Sequence, residues 1–91
     1  MHEQEAAIIA HETGVDEQLA SRLALIGAKV RNLKEHGFEE GVSTRLLIYT
    51  GSLVGKGVEP RRAADIAIVN AVSDDPTVQQ AIADIVDIVL P

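Results

Sequence analysis

Cysteine and tryptophan are absent from this sequence, and its aromatic residues are one phenylalanine, Phe38, and one tyrosine, Tyr49. Without cysteine there is neither a disulfide nor a thiolate metal site. With 2% aromatic against 46% hydrophobic residues, the core must be assembled from Leu, Ile, Val and Ala. Positive charge is scarce too: eight Lys and Arg stand against fourteen Asp and Glu, and every charged residue from Ala63 onward is acidic. Nucleic-acid binding through phosphates needs a basic surface, and a net charge of −6 argues against that class of function. No apolar run approaches the ~20 residues of a membrane span. The start, Met1-His2-Glu3-Gln4-Glu5, is acidic and unlike a signal peptide. The expectation is a soluble, cytoplasmic protein that engages neither nucleic acid nor membrane.

What remains is helical in pattern. No segment alternates with period two over a useful length, and apolar residues recur at helical spacing, so an all-α fold is expected. The spacing predicts a compact bundle of about five helices forming one domain over 1–91, near 3–13, 16–36, 44–56, 60–73 and 76–90. Ala6, Ile9 and Ala10 mark the first helix, with Ile8 beside them and Gly14 as its stop. Asp16 caps the second, whose stripe is Leu19, Leu23, Ile26, Val30 and Leu33, ended by His36 and Gly37. The third carries Leu46, Tyr49 and Leu53 on one face and Leu47 and Val54 on the next, a breadth that suits a central position. Gly27 and Gly51 each cost their helix roughly 1 kcal/mol against Ala, a sign of close helix–helix approach. Pro60 fits the first position of the fourth helix, apolar nearly all round and so expected to be buried. Asp74-Asp75-Pro76 repeats the cap-then-proline signal before the fifth, striped by Val78, Ile82, Ile85 and Val89.

Chemistry-bearing patterns are few. Gly51-Ser52-Leu53-Val54-Gly55-Lys56-Gly57 has an outline like that of a phosphate-binding P-loop, but the spacing is one residue short and no Ser or Thr follows the lysine. It reads as a helix end, with Lys56 complementing the dipole. His2, His11 and His36 share no ligand spacing, no metal site is expected, and no catalytic constellation is visible. The one oddity is arginine at helix starts, where the macrodipole disfavours a cation by roughly 0.3–1 kcal/mol. Arg45 follows Ser43, the expected N-cap, and Thr44; Arg61 and Arg62 follow Pro60. An anion would turn each misfit into an asset. Alternatively, Arg45 pairs with Glu39 or Glu40, and Arg61 and Arg62 are solvated or pair with Glu59 and Asp65.

Gly14-Val15-Asp16, Gly41-Val42-Ser43-Thr44-Arg45-Leu46-Leu47-Ile48-Tyr49, Pro60-Arg61-Arg62-Ala63 and Asp74-Asp75-Pro76 together resemble the C-terminal region of the CbbQ/NirQ/NorQ proteins. These are AAA+ ATPases of the MoxR group. The resemblance covers essentially the whole chain and is most specific in the Gly-Val-Ser-Thr-Arg segment. It implies a small α-helical lid domain without the α/β nucleotide-binding core, and therefore no enzyme by itself. By position Arg45 matches the family's sensor-2 arginine, with Ser43 and Thr44 beside the nucleotide and Arg61 and Arg62 as secondary anion candidates. ATP and Mg²⁺ would belong to the longer parent. Implied partners are the core domain, neighbouring subunits of a ring, a von Willebrand factor A-domain protein, and a client metalloenzyme or Rubisco. The competing expectation is a free-standing helical interaction module with no nucleotide role.

Overall fold

The computed structural model describes residues 2–31, 44–72 and 74–90. Ser43 lies outside the described residues, as do Leu33, His36, Gly37, Glu39 and Glu40. Five helices account for most of what is described, and none of those residues forms a strand. They are α1 (His2–Thr13), α2 (Glu17–Arg31), α3 (Thr44–Gly55), α4 over 60–72 and α5 (Pro76–Val89).

α1 and α2 form an antiparallel hairpin. Gly14 takes φ +77°, which an L side chain resists, and its N–H closes the last turn on the Ala10 carbonyl at 2.9 Å. Asp16 caps α2 as expected, its Oδ1 accepting from the Leu19 N–H at 2.7 Å. Leu23, Ile26 and Val30 of the expected stripe are fully buried, and Leu19 packs at its edge.

α3 is central, touching α1, α2 and α4. Both glycines mark close approaches. A Cβ on Gly27 would come within 2.8 Å of Leu47 Cδ1, and one on Gly51 within 2.9 Å of Thr13 Oγ1. The buried face of α3 is nevertheless rotated from the expected one. Leu47, Thr50 and Gly51 point inward, Leu46 and Leu53 pack at the margin, and Tyr49 is 49% exposed. Thr50 is buried without penalty because its hydroxyl donates to the Leu46 carbonyl at 2.8 Å. A threonine thus takes a core place that hydrophobicity alone assigns to the tyrosine.

The P-loop look-alike is the end of α3. Gly57 at φ +101° lets its own N–H reach the Val54 carbonyl and the Val58 N–H reach that of Leu53, both at 3.0 Å. These are the paired bonds of a Schellman stop.

α4 departs from expectation in its middle. Pro60 opens it, but over Asp65–Val69 the helix widens to a π turn. The Asn70 N–H reaches five residues back to the Asp65 carbonyl, which also accepts from Asn70 Nδ2 at 2.9 Å. Ala63, Ala64, Ala67, Ile68 and Val69 are buried. Burial all round does not occur: Ile66 is 44% exposed, and Asp65, Asn70 and Ala71 face solvent.

Asp75 caps α5, accepting from the Thr77 N–H at 2.9 Å. The helix packs on α2 and α4 through Ile82 and Val86, while Val78, Ile85 and Val89 line the edges. The core side of α5 therefore runs through Val86, not through Ile85 as the spacing implied. Leu90, just past its end, is buried too.

Candidate functional site

The start of α3 is fastened by one carboxylate. Glu5 sits on the second turn of α1, and Arg31 at the far end of the antiparallel α2, so the hairpin brings them together. Arg31 Nη1 donates to Glu5 Oε1 at 2.8 Å and Nη2 to Oε2 at 2.6 Å, a two-pronged pair. Thr44, the first residue of α3, donates its hydroxyl to the same Oε2 at 2.6 Å. The Glu5 side chain keeps 11% of its surface exposed and that of Arg31 keeps 35%. The Arg31 guanidinium is held above its ordinary pKa, chiefly by hydrogen bonding to Glu5; partial burial opposes this and the carboxylate's charge adds to it. It stays cationic wherever the domain is folded. Three helices therefore meet in one compensated charge cluster.

Arg45 follows Thr44 directly and points elsewhere. Successive helical residues are turned by about 100°, so pinning Thr44 toward α1 sends Arg45 outward. Arg45 is exposed and makes no hydrogen bond or ion pair with any described residue. Spacings of four and three put Arg45, Tyr49 and Ser52 along one stripe of α3, Arg45 and Tyr49 exposed and Ser52 half-buried. The result is a cationic helix start, its arginine uncommitted among the described residues, in a chain that is acidic overall.

The other expected anion candidates behave differently. Arg61 pairs with Asp87 on α5, not with Glu59 or Asp65, which ties the start of α4 to the end of α5. Arg62 is exposed and has no partner among the described residues. Neither joins Arg45, because α3 rises about 1.5 Å per residue and holds the two helix starts at opposite ends of its length. Thr44 is beside Arg45, but its hydroxyl is engaged with Glu5.

Glu5 and Arg31 are absent from the expected site because nothing local marks them. They lie 26 residues apart, on helices whose partnership is a tertiary fact. Of the expected anion candidates, Arg45 and Arg62 are the guanidinium groups without a partner among the described residues. Among the described residues no group of three His, Asp or Glu is placed to hold a metal ion, so Mg²⁺ ligands would have to come from beyond them.

In this five-helix domain Arg45 and Arg62 stand exposed and without a partner among the described residues, each near a helix start. The sequence comparisons name the family. The model described as CbbQ/NirQ/NorQ C-terminal matches residues 5–89, and the chain belongs to that family. It is 45% identical over 86 residues to the denitrification regulatory protein NirQ of Pseudomonas aeruginosa, covering 94% of this chain and 33% of that protein. Against the protein CbbQ of Hydrogenophilus thermoluteolus the identity is 45% over 80 residues, 88% of this chain and 30% of the relative. Against the protein NorQ of Paracoccus denitrificans it is 37% over 82 residues, 90% and 30%. The chain thus spans about a third of the length of these curated relatives.

Proposed function

We propose that this chain is the helical lid of a MoxR-type AAA+ ATPase related to CbbQ, NirQ and NorQ, and that Arg45 is its sensor-2 arginine. The observation that carries this is the state of Arg45: exposed, uncommitted among the described residues, and set in the first turn of a helix whose start is fastened to Glu5 through Thr44. An arginine left where the helix dipole disfavours it gains most when an anion arrives. Family membership supports the reading, as does the length of the relatives, which leaves room for a nucleotide-binding core.

In such a protein, closing the lid brings the Arg45 guanidinium to the nucleotide's terminal phosphates, where charge develops during transfer. ATP with Mg²⁺ supplies the energy, and the rest of the cradle belongs to the core domain. Binding energy gathered by Arg45 favours the closed lid, which couples occupancy to the angle between domains and on to ring neighbours. The work performed is the activation or remodelling of a client enzyme, a metalloenzyme or Rubisco, with a von Willebrand factor A-domain protein as partner. The name of NirQ, a denitrification regulatory protein, is compatible with such a client.

The test is ATPase rate against nucleotide concentration in the full-length protein. Arg45→Ala is expected to lower turnover or affinity roughly tenfold or more, and Arg45→Lys to restore only part, because the planar fork is lost. Arg62→Ala serves as the control and does less. In the 91-residue chain Arg45→Ala leaves stability within about 0.5 kcal/mol, as expected of a surface residue. Wild-type kinetics for Arg45→Ala, with the fold intact, would reduce Arg45 to an ordinary surface cation.

A further inference from the structure

We infer that Glu5 is a positioning residue that, through the hydroxyl of Thr44, sets the direction in which Arg45 leaves α3. The inference rests on the reading of Arg45 given above and adds the device that aims it.

Helix ends fray, and Arg45, exposed in the first turn, has no partner among the described residues to hold its side chain. Here the turn is held one residue earlier. Thr44 is β-branched, so its χ1 is stiff, and a hydroxyl fixed at 2.6 Å on Glu5 Oε2 transmits that stiffness to its own backbone. Glu5 is itself immobilised, because Arg31 grips both carboxylate oxygens at 2.8 and 2.6 Å. The order of command is Arg31 to Glu5, Glu5 to Thr44, and Thr44 to the backbone that carries Arg45. Leu46 and Leu47 hold the same turn on its core side, Leu47 fully buried against Gly27, so the Glu5 bond fixes the turn where it begins, one residue before Arg45. A carboxylate in this role neither touches the nucleotide nor changes the charge presented to it, since Arg31 balances it.

Glu5→Ala removes both bonds from Arg31 as well as the one from Thr44, and its effect on folding would mask its effect on aim. Thr44→Val is the cleaner variant, because it removes the last link at constant shape and leaves the Glu5–Arg31 pair in place. In the full-length protein Thr44→Val is expected to lower kcat roughly tenfold or more, with a smaller change in KM and a melting temperature near that of wild type. Thr44→Ser, which keeps the hydroxyl, restores most of the loss. In the 91-residue chain, Thr44→Val is expected to speed amide exchange about tenfold at Ile48 and Tyr49, whose N–H groups bond to the carbonyls of the first turn of α3, and to leave the last turn unchanged. Wild-type kcat for Thr44→Val alongside an impaired Arg45→Ala would overturn the positioning role while sparing the reading of Arg45. An unimpaired Arg45→Ala sinks that reading, and this inference with it. Failure of Thr44→Ser to restore activity would also overturn it, since the hydroxyl would then not be the link.

Discussion

Replacing Gly51 with alanine sets two quantities against each other. Alanine in a helix interior gains roughly 1 kcal/mol over glycine. The new methyl, however, would lie 2.9 Å from Thr13 Oγ1, 3.0 Å from Cγ2 and 3.2 Å from Cβ. Three atoms of a stiff side chain cannot all retreat by rotation, and the hydroxyl is held to the Ile9 carbonyl at 2.7 Å. Overpacking costs roughly 1–3 kcal/mol and loss of the Thr13 bond about 0.5–1.5, so the balance is a destabilisation of about 1–3 kcal/mol. For a domain of this size that lowers the melting temperature by roughly 4–8 °C per kcal/mol. Urea unfolding followed by far-UV circular dichroism measures it directly. Thr13→Ala strips two of the three clashing atoms, so the double variant should recover at least about 1 kcal/mol relative to Gly51→Ala alone. Gly27→Ala is the internal comparison. Its tight contact is with one terminal methyl of Leu47 at 2.8 Å, the next nearest atoms being at 3.5 and 3.6 Å, so that methyl can swing aside. Its net effect should stay within about 1 kcal/mol of zero. If Gly51→Ala proves more stable than wild type, or Thr13→Ala brings no relief, the account of α1 packing on α3 is wrong.

Ile82→Ala should cost roughly 2–5 kcal/mol, since Ile82 is fully buried where α5 meets the core, whereas Ile88→Ala, at a site 79% exposed, should stay within about 0.5. Equal losses from the two, by chemical denaturation, would mean that α5 is rotated on the domain. Asp75→Ala removes the bond to the Thr77 N–H and should cost about 1 kcal/mol, with Asp75→Asn restoring most of it. No difference between Asp75→Ala and Asp75→Asn would show that this cap contributes little.

How far the sequence carried depends on how local each determinant was. Caps at Asp16 and Asp75, the stops at Gly14 and Gly57, and Pro60 at a helix start are decided within a few residues, and all were legible. The close approaches at Gly27 and Gly51 were legible as a cost needing compensation, though their partners Leu47 and Thr13 were not. Tyr49 was misassigned because hydrophobic spacing cannot see that Thr50 satisfies its own hydroxyl and can sit inside. The π turn escaped because a period of 3.6 residues is assumed in reading the stripe of α4, and the Asn70 side chain that supports the wider turn looks like any polar surface residue. At the candidate site Arg45 was visible as a misfit with the dipole. Glu5 and Arg31 were not, because opposite charges 26 residues apart become a pair only once α1 and α2 lie side by side.

Tyr49 also gives this chain a single optical reporter. There is no tryptophan and no second tyrosine, so all tyrosine emission comes from one phenol. That phenol is half exposed and stands one helical turn beyond Arg45 on the same stripe. A small anion arriving at Arg45 leaves the emitter with no acceptor of its energy, whereas a tryptophan-bearing protein surface settling on the stripe drains its emission by transfer. The two kinds of visitor are therefore separable by light alone, with no label attached.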